Sequence, residues 1–284
     1  MARNVLATEA GRGEFGFRHA LLHEVALSEV LPGERERVHV AYAEALSHRA
    51  EDAPDASRVL AQIAHHLWSA REVDKALTFA IRAGDAALEV GAFTTAHEQF
   101  ERALSLLSAA ADPHHEGVDR VQLLERTASA AHLAGDDERA IAFVTTALDE
   151  IDAEVEPIKA GLLYEQLGWY QFTGGSGSEA VAAYERALDL VPEDPPSPAR
   201  ARILAAYARL KMLSARFDEA IRVGEEAVRV ATTTGARRAE CAALNALGVA
   251  VAARGSRNTV STASGGRWLW QRSWGITTRR PGST

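Results

Sequence analysis

EAVAAYERALDLVP at residues 179–192 and DEAIRVGEEAVRVA at residues 218–231 superpose on a shift of 40 residues, which places Ala180 on Ala220, Ala187 on Ala227 and Leu188 on Val228. ERAIAFVTTALDEI (138–151) joins the register through Ala140, Ala147 and Leu148, and TTAHEQFERALSLL (94–107) offers Ala96, Phe100, Ala103 and Leu104. In each segment the apolar positions fall at i, i+4, i+7 and i+8, one stripe of a 3.6-residue helix. Alanine recurs where two helices must approach closely. Between these segments lie others of helical character, KAGLLYEQLGWYQF (159–172), ARILAAYARLKML (201–213) and ECAALNALGVAVA (240–252). Each repeat therefore reads as a helix pair, and the chain as all-α, an α-solenoid of antiparallel helix hairpins.

Capping chemistry supplies the boundaries. Ser197 followed by Pro198 predicts a helix start, because proline has no amide hydrogen to waste at the first helical position. Ser176 with Glu179 three residues on reads as a capping box, and Gly135 before Asp136 and Asp137 reads as a helix stop followed by a new cap. The connections VPEDPPSP (191–198) and TGGSGS (173–178) are short.

Taken together, LLYEQLGWYQF and EAVAAYERALDLVP resemble a tetratricopeptide repeat, with Gly168, Ala180, Tyr184, Ala187 and Pro192 at its small, small, aromatic, small and proline positions. The period of 40 departs from the family's usual spacing of about 34 residues. The TGGSGS insertion departs as well. The resemblance implies a concave face lined by the first helix of each pair, where Glu165, Trp169, Arg209 and Met212 are expected to project. A protein partner or a small-molecule effector would sit there. Trp169 and Tyr170 also fit a plain core role.

Residues 14–46 do not fit the repeat. Phe15, Phe17, Arg18, His19, Ala20, Leu21, Leu22 and Glu24, then Leu31, Pro32, Arg35 and His39, resemble the end of the nucleotide-binding module of bacterial STAND-type ATPases. That group includes LuxR-type transcriptional regulators and cyclase-linked ATPases, and AQIAHHLWSAREVDKALTFAIRAGDAAL (61–88) resembles the passage that follows. The resemblance implies a small winged-helix remnant over 1–46, tetratricopeptide-like repeats over 47–255 and a fragment cut at both ends. It also implies that His19 stands where the intact parent senses nucleotide phosphates. That role needs a phosphate loop, and no G-x-x-x-x-G-K-[ST] occurs, so no nucleotide cofactor is expected and His19 is read as structural.

Composition narrows the function classes. The chain has 284 residues, 47% hydrophobic and 25% charged, and Cys241 is its one cysteine, so neither an internal disulfide nor a thiolate cluster can form. No signal peptide or membrane-spanning run is visible, and the chain reads as cytoplasmic. The net charge is −8, while residues 256–284 hold five arginines and no acid; the acidic remainder argues against a broad nucleic-acid surface.

No catalytic residue and no metal ligand set is assigned. His19 and His23 share a helical face but lack a completing carboxylate; His65 with His66 are neighbours whose side chains diverge; His114 with His115 sit in a polar loop. Glu225 with Glu226, Glu34 with Glu36, and Asp136 with Asp137 read as helix-start or exposed acids. GGSGS lacks the preceding strand that a nucleophile elbow requires.

After Gly255 the helical pattern stops. Residues 256–284 hold three of the five tryptophans and read as an irregular basic tail, either out-of-frame sequence or a basic aromatic arm for nucleic acid or membrane. The helix near 240–253 then lacks a partner, leaving Leu244, Leu247 and Val251 under-packed and predicting self-association. The expected function is a non-enzymatic interaction or sensor segment of a STAND-type regulator. A free-standing tetratricopeptide adaptor, and nucleic-acid binding through the Arg/Trp tail, are the alternatives.

Overall fold

A computed structural model describes residues 6–8, 15–17, 30–50, 55–109 and 118–262. The chain divides into two compact units, Met1–Ala134 and Gly135–Thr284. The first holds β1 (Leu6–Thr8), β2 (Phe15–Phe17), α1 (Pro32–Ala50), α2 (Ala56–Ser69), α3 (Val73–Glu89), α4 (Phe93–Ala109) and α5 (Arg120–Leu133). The second holds α6 (Asp137–Asp149), α7 (Pro157–Thr173), α8 (Gly177–Leu190), α9 (Pro198–Leu213), α10 (Phe217–Thr234) and α11 (Arg237–Thr262). Consecutive helices within each unit pack as antiparallel hairpins, so the all-α, tetratricopeptide-like class holds in both.

The two short strands pair antiparallel, Leu6 opposite Phe17. Of the expected winged-helix remnant, this hairpin and α1 are what lies within the described residues; His19 and His23 lie outside them, as do His114 and His115.

The repeat stripe becomes the core. Ala96, Phe100 and Ala103 of α4, Ala140, Val144 and Ala147 of α6, Ala180, Tyr184 and Ala187 of α8, and Ala220 and Ala227 of α10 are all fully buried. The fourth position is half-buried at Leu148, Leu188 and Val228. In the second unit Tyr184 stacks on Tyr207 of α9 with ring centroids 5.4 Å apart, among Ala180, Ala187, Val191, Ile203 and Leu210. Alanine at the first and third stripe positions of all four segments allows the helix axes to approach, and Phe100 and Tyr184 fill the gap at the second position in α4 and α8.

A recurring three-residue turn joins the helices. Arg71, Gly91, Gly135, Gly175 and Ala215 each adopt a left-handed φ, from 57° to 92°. The amide of the following residue reaches back to close a six-residue loop: Glu72 to the carbonyl of Leu67, Ala92 to Ala87, Ser176 to Gln171 and Arg216 to Lys211, at 2.7–2.9 Å. Residues 135, 175 and 215 keep the 40-residue step, and only the last carries a side chain. A Cβ costs about 1 kcal/mol or more in this conformation. Ala215→Gly is therefore expected to raise stability by roughly 0.5–1 kcal/mol once glycine's extra chain entropy is deducted. A urea midpoint that stays or falls would count against this account of the turn.

Of four expectations about helix ends, two hold and two do not. Ser197 caps α9, its hydroxyl accepting from the Arg200 amide at 3.1 Å with Pro198 behind it, and Asp136 caps α6 by accepting from the Arg139 amide at 3.0 Å. Ser176 does stand at the start of α8 but makes no side-chain cap bond, so the predicted capping box is not formed. The Ser176 amide already donates to the Gln171 carbonyl, so it is not free for the reciprocal bond to Glu179 that a capping box requires. Helix α11 does not end at Gly255 but runs on to Thr262. Glycine in an exposed helix costs only about 1 kcal/mol, too little to stop one that packs on α9 and α10. The rest of the predicted tail lies outside the described residues.

Candidate functional site

The second unit carries a cleft of about 580 Å³ where α7, α9 and α11 meet. These are first helices of successive pairs, and the second helices α8 and α10 back them. Small side chains form the floor, among them Ala205 and Ala206 of α9 and Ala239 and Ala242 of α11, while Glu165, Arg202, Arg209, Arg237 and Arg238 supply the polar rim.

Glu165 is nearly buried on α7, and Arg202 donates to it through Nε and Nη2 at 3.1 and 2.7 Å. This carboxylate is consumed within the chain rather than offered to a ligand. Arg209 lies two helical turns beyond Arg202 on the same stripe of α9, since seven residues nearly complete two turns. Its guanidinium sits 3.7 Å from the centroid of the Trp169 ring, which orients the head without neutralising it. Arg237 and Arg238 open α11, where unsatisfied amides add partial positive charge. Arg209, Arg237 and Arg238 have no carboxylate partner among the described residues. Beneath the rim lies the fully buried Tyr184 hydroxyl, within the influence of Arg209, Arg202 and Glu165. Burial, then the charge of Glu165, pushes its pKa well above the ordinary tyrosine value, against the opposing pull of Arg209 and Arg202.

Of the four groove residues expected from sequence, Glu165 and Arg209 line the cleft and Trp169 borders it through Arg209. Met212 does not. Three residues on from Arg209, it is rotated about 60° around α9, and packs with Phe217 and Leu247 against Ala220, Ile221 and Ala250. Arg202, Arg237 and Arg238 were missed. Lys211 was missed too: it is buried, bound to Glu219 at 2.8 Å, and lies 4.7 Å from the Tyr207 ring centroid. Burial works to lower its pKa, but the hydrogen bonds to Glu219 and Tyr207 outweigh this and hold it above the ordinary lysine value.

The first unit holds a separate histidine cluster. His39 on α1 and His66 on α2 share a hydrogen bond between their Nδ1 atoms at 2.9 Å, Tyr42 stacks on His66, and His65 lies edge-on to it. Burial, with His39 and His65 nearby, lowers the His66 pKa. The neutral ring is thus favoured on folding. Its contribution is complete above the ordinary value of 6.5 and is lost as pH falls from there through the lower folded value. A loss of about 1 kcal/mol, the worth of one hydrogen bond, is expected. His39→Gln should flatten the pH dependence of the urea midpoint below 6.5; an unchanged slope would refute the assignment. Among the described residues no group of three metal-ligating side chains is found, and no helix is long and apolar enough to cross a membrane.

Comparison with protein-family models gives no match, and comparison with curated protein sequences gives none either. Solved structures do match in fold. A kinesin light chain protein of Podosopora anserina with nearly identical TPR-like repeats aligns over 72% of this chain and 98% of its own, at 15% identity and a TM-score of 0.50. A Rap protein crystallised with Competence and Sporulation Factor aligns over 86% of this chain and 70% of its own, at 12% identity and a TM-score of 0.50. At these identities the likeness establishes a tetratricopeptide-like helical-repeat fold for the chain.

Proposed function

We propose that this chain is a non-catalytic protein-interaction module whose cleft over α7, α9 and α11 receives a peptide segment of a partner. The observation that carries this reading is the cleft itself: small residues let a backbone approach, and Arg237 and Arg238 at its rim stand outside the ion pairs of the described residues. A fold like that of a Rap protein solved with Competence and Sporulation Factor supports a receiving role. The test is selection of peptides on the full chain from a random library. Ala242 is exposed in the cleft, and Ala242→Trp would fill it without disturbing the core. Selected peptides should lose binding to that variant; equal binding to both would end the reading.

The finer assignment, a sensor segment of a STAND-type or LuxR-type regulator acting in signal transduction, rests on the residue pattern of 14–46 and 61–88. A free-standing adaptor would use the same cleft. Flanking DNA decides between them: a Walker motif encoded upstream and repeats downstream support the regulator, and their absence supports the adaptor.

Self-association belongs to the same proposal. Leu244 and Val251 are about half exposed and align with Gly248 and Gly255 on one face of α11, at 50% and 45% exposure. Leu247 departs from the expectation, because it packs against Gly224 and the Phe217 cluster. Sedimentation should detect oligomers that Leu244→Lys with Val251→Lys disperses. A monomeric parent chain would contradict this.

A further inference from the structure

The histidines that meet between α1 and α2 belong to the first unit and have no part in the cleft. His39 and His66 are half-buried, and their Nδ1 atoms approach to 2.9 Å with the ring centroids 5.2 Å apart. As they stand, one Nδ1 donates to the other. The same placement suits a second chemistry. Two imidazoles bound to one tetrahedral ion at a metal–nitrogen distance of about 2.05 Å hold their nitrogens about 3.3 Å and their ring centroids about 5.2 Å apart. The two helices therefore already set the rings at the spacing of a ligated pair. Only the nitrogens must part, by about 0.4 Å, as each ring turns within its own plane. Tyr42 stacks on the His66 ring and His65 meets it edge-on, which leaves that in-plane turn as its easiest motion.

The donor set names the class of ion. Neutral imidazole suits zinc, copper and nickel, whereas magnesium and calcium take oxygen ligands. Burial, with His39 and His65 nearby, favours the neutral His66 ring, the form that ligates. His65 follows His66 directly on α2, so the two side chains diverge and His65 is not the second ligand. With no group of three ligating side chains among the described residues, water fills the remaining positions.

We propose that His39 and His66 bind one divalent transition-metal ion of the zinc class through their Nδ1 atoms, and that the ion ties α1 to α2. Binding breaks the histidine–histidine hydrogen bond. The proton on the donating Nδ1 passes through water to Nε2 of the same ring, so both rings stay neutral and no net proton is released.

The experiment titrates the full, metal-free chain with zinc sulfate near neutral pH by isothermal titration calorimetry. Because the chain has ten histidines, the readout is the difference between parent and variants. His39→Gln and His66→Gln should each lower the affinity roughly tenfold or more with unchanged helical circular dichroism, and His65→Gln should leave it unchanged. Zinc should raise the urea midpoint of the parent and not of the two ligand variants, since an ion held only by the folded chain stabilises it. X-ray absorption on the zinc-loaded parent should count two imidazoles and needs no variant to fold. Zinc bound as tightly by His39→Gln as by the parent would place the site on other histidines and overturn the proposal. No zinc uptake by the parent, an imidazole count of one, or displacement of zinc by equimolar magnesium would overturn it as well.

Discussion

Gly168→Val is expected to destabilise the second unit by about 3 kcal/mol, near the upper end of the usual cost of overpacking. Any Cβ at this position would stand 2.8 Å from Cδ2 and Cε2 of Tyr184 and 3.1 Å from the carbonyl oxygen of Ala180. Tyr184 cannot swing aside, because it is fully buried and stacked on Tyr207. The Ala180 carbonyl belongs to the backbone of α8 and cannot move alone. Relief therefore requires α7 and α8 to separate, which unpacks the hairpin that backs the cleft. A β-branched residue adds its own loss of rotamer freedom within the helix. Equilibrium denaturation measures the loss directly. A variant within about 1 kcal/mol of the parent would mean that the two helices are not in the close approach described here, and would weaken the account of the cleft with it.

Phe100→Ala should cost the first unit about 4 kcal/mol, within the range for removing a fully buried aromatic ring. Phe100 on α4 has no exposed surface, and it occupies the space left by the missing side chain of Gly84 on α3, where a Cβ would collide with the ring. The Arg126 guanidinium of α5 lies 4.6 Å from the ring centroid and also pairs with Asp85. Truncation would leave a cavity between three helices and deprive Arg126 of one contact, so collapse around the gap is limited. Phe100→Leu should recover much of the loss, since it restores volume without the cation contact. If alanine and leucine variants prove equally stable, the ring is not the element that joins α3, α4 and α5.

The repeat was legible in the sequence because its signal is local. Alanine and aromatic positions at i, i+4 and i+7 describe one face of one helix, and the pairs Ser197–Pro198 and Gly135–Asp136 state where helices start and stop. Gly168 and Tyr184 were read as small and aromatic repeat positions, and the structure brings them into contact. Ser176 misled because its backbone amide, which the box needs, is taken by the Gln171 carbonyl of the preceding helix. The left-handed turn at Ala215 was invisible by composition, since glycine marks it at 135 and 175 but not there.

By itself the sequence determined an all-α chain of paired helices with an alanine-lined seam, for hydrophobic period and capping act within a dozen residues. Only the tertiary structure decided which charges stand together. Arg202 reaches Glu165 across 37 residues, Arg237 and Arg238 arrive from a third helix, and Met212 turns away from the cleft it was expected to line. Lys211 is buried because Glu219 and Tyr207 receive it on folding, a placement that residue type alone opposes. Local pattern fixes the face a side chain occupies on its own helix; the rotation at which helices settle against one another fixes what that face meets.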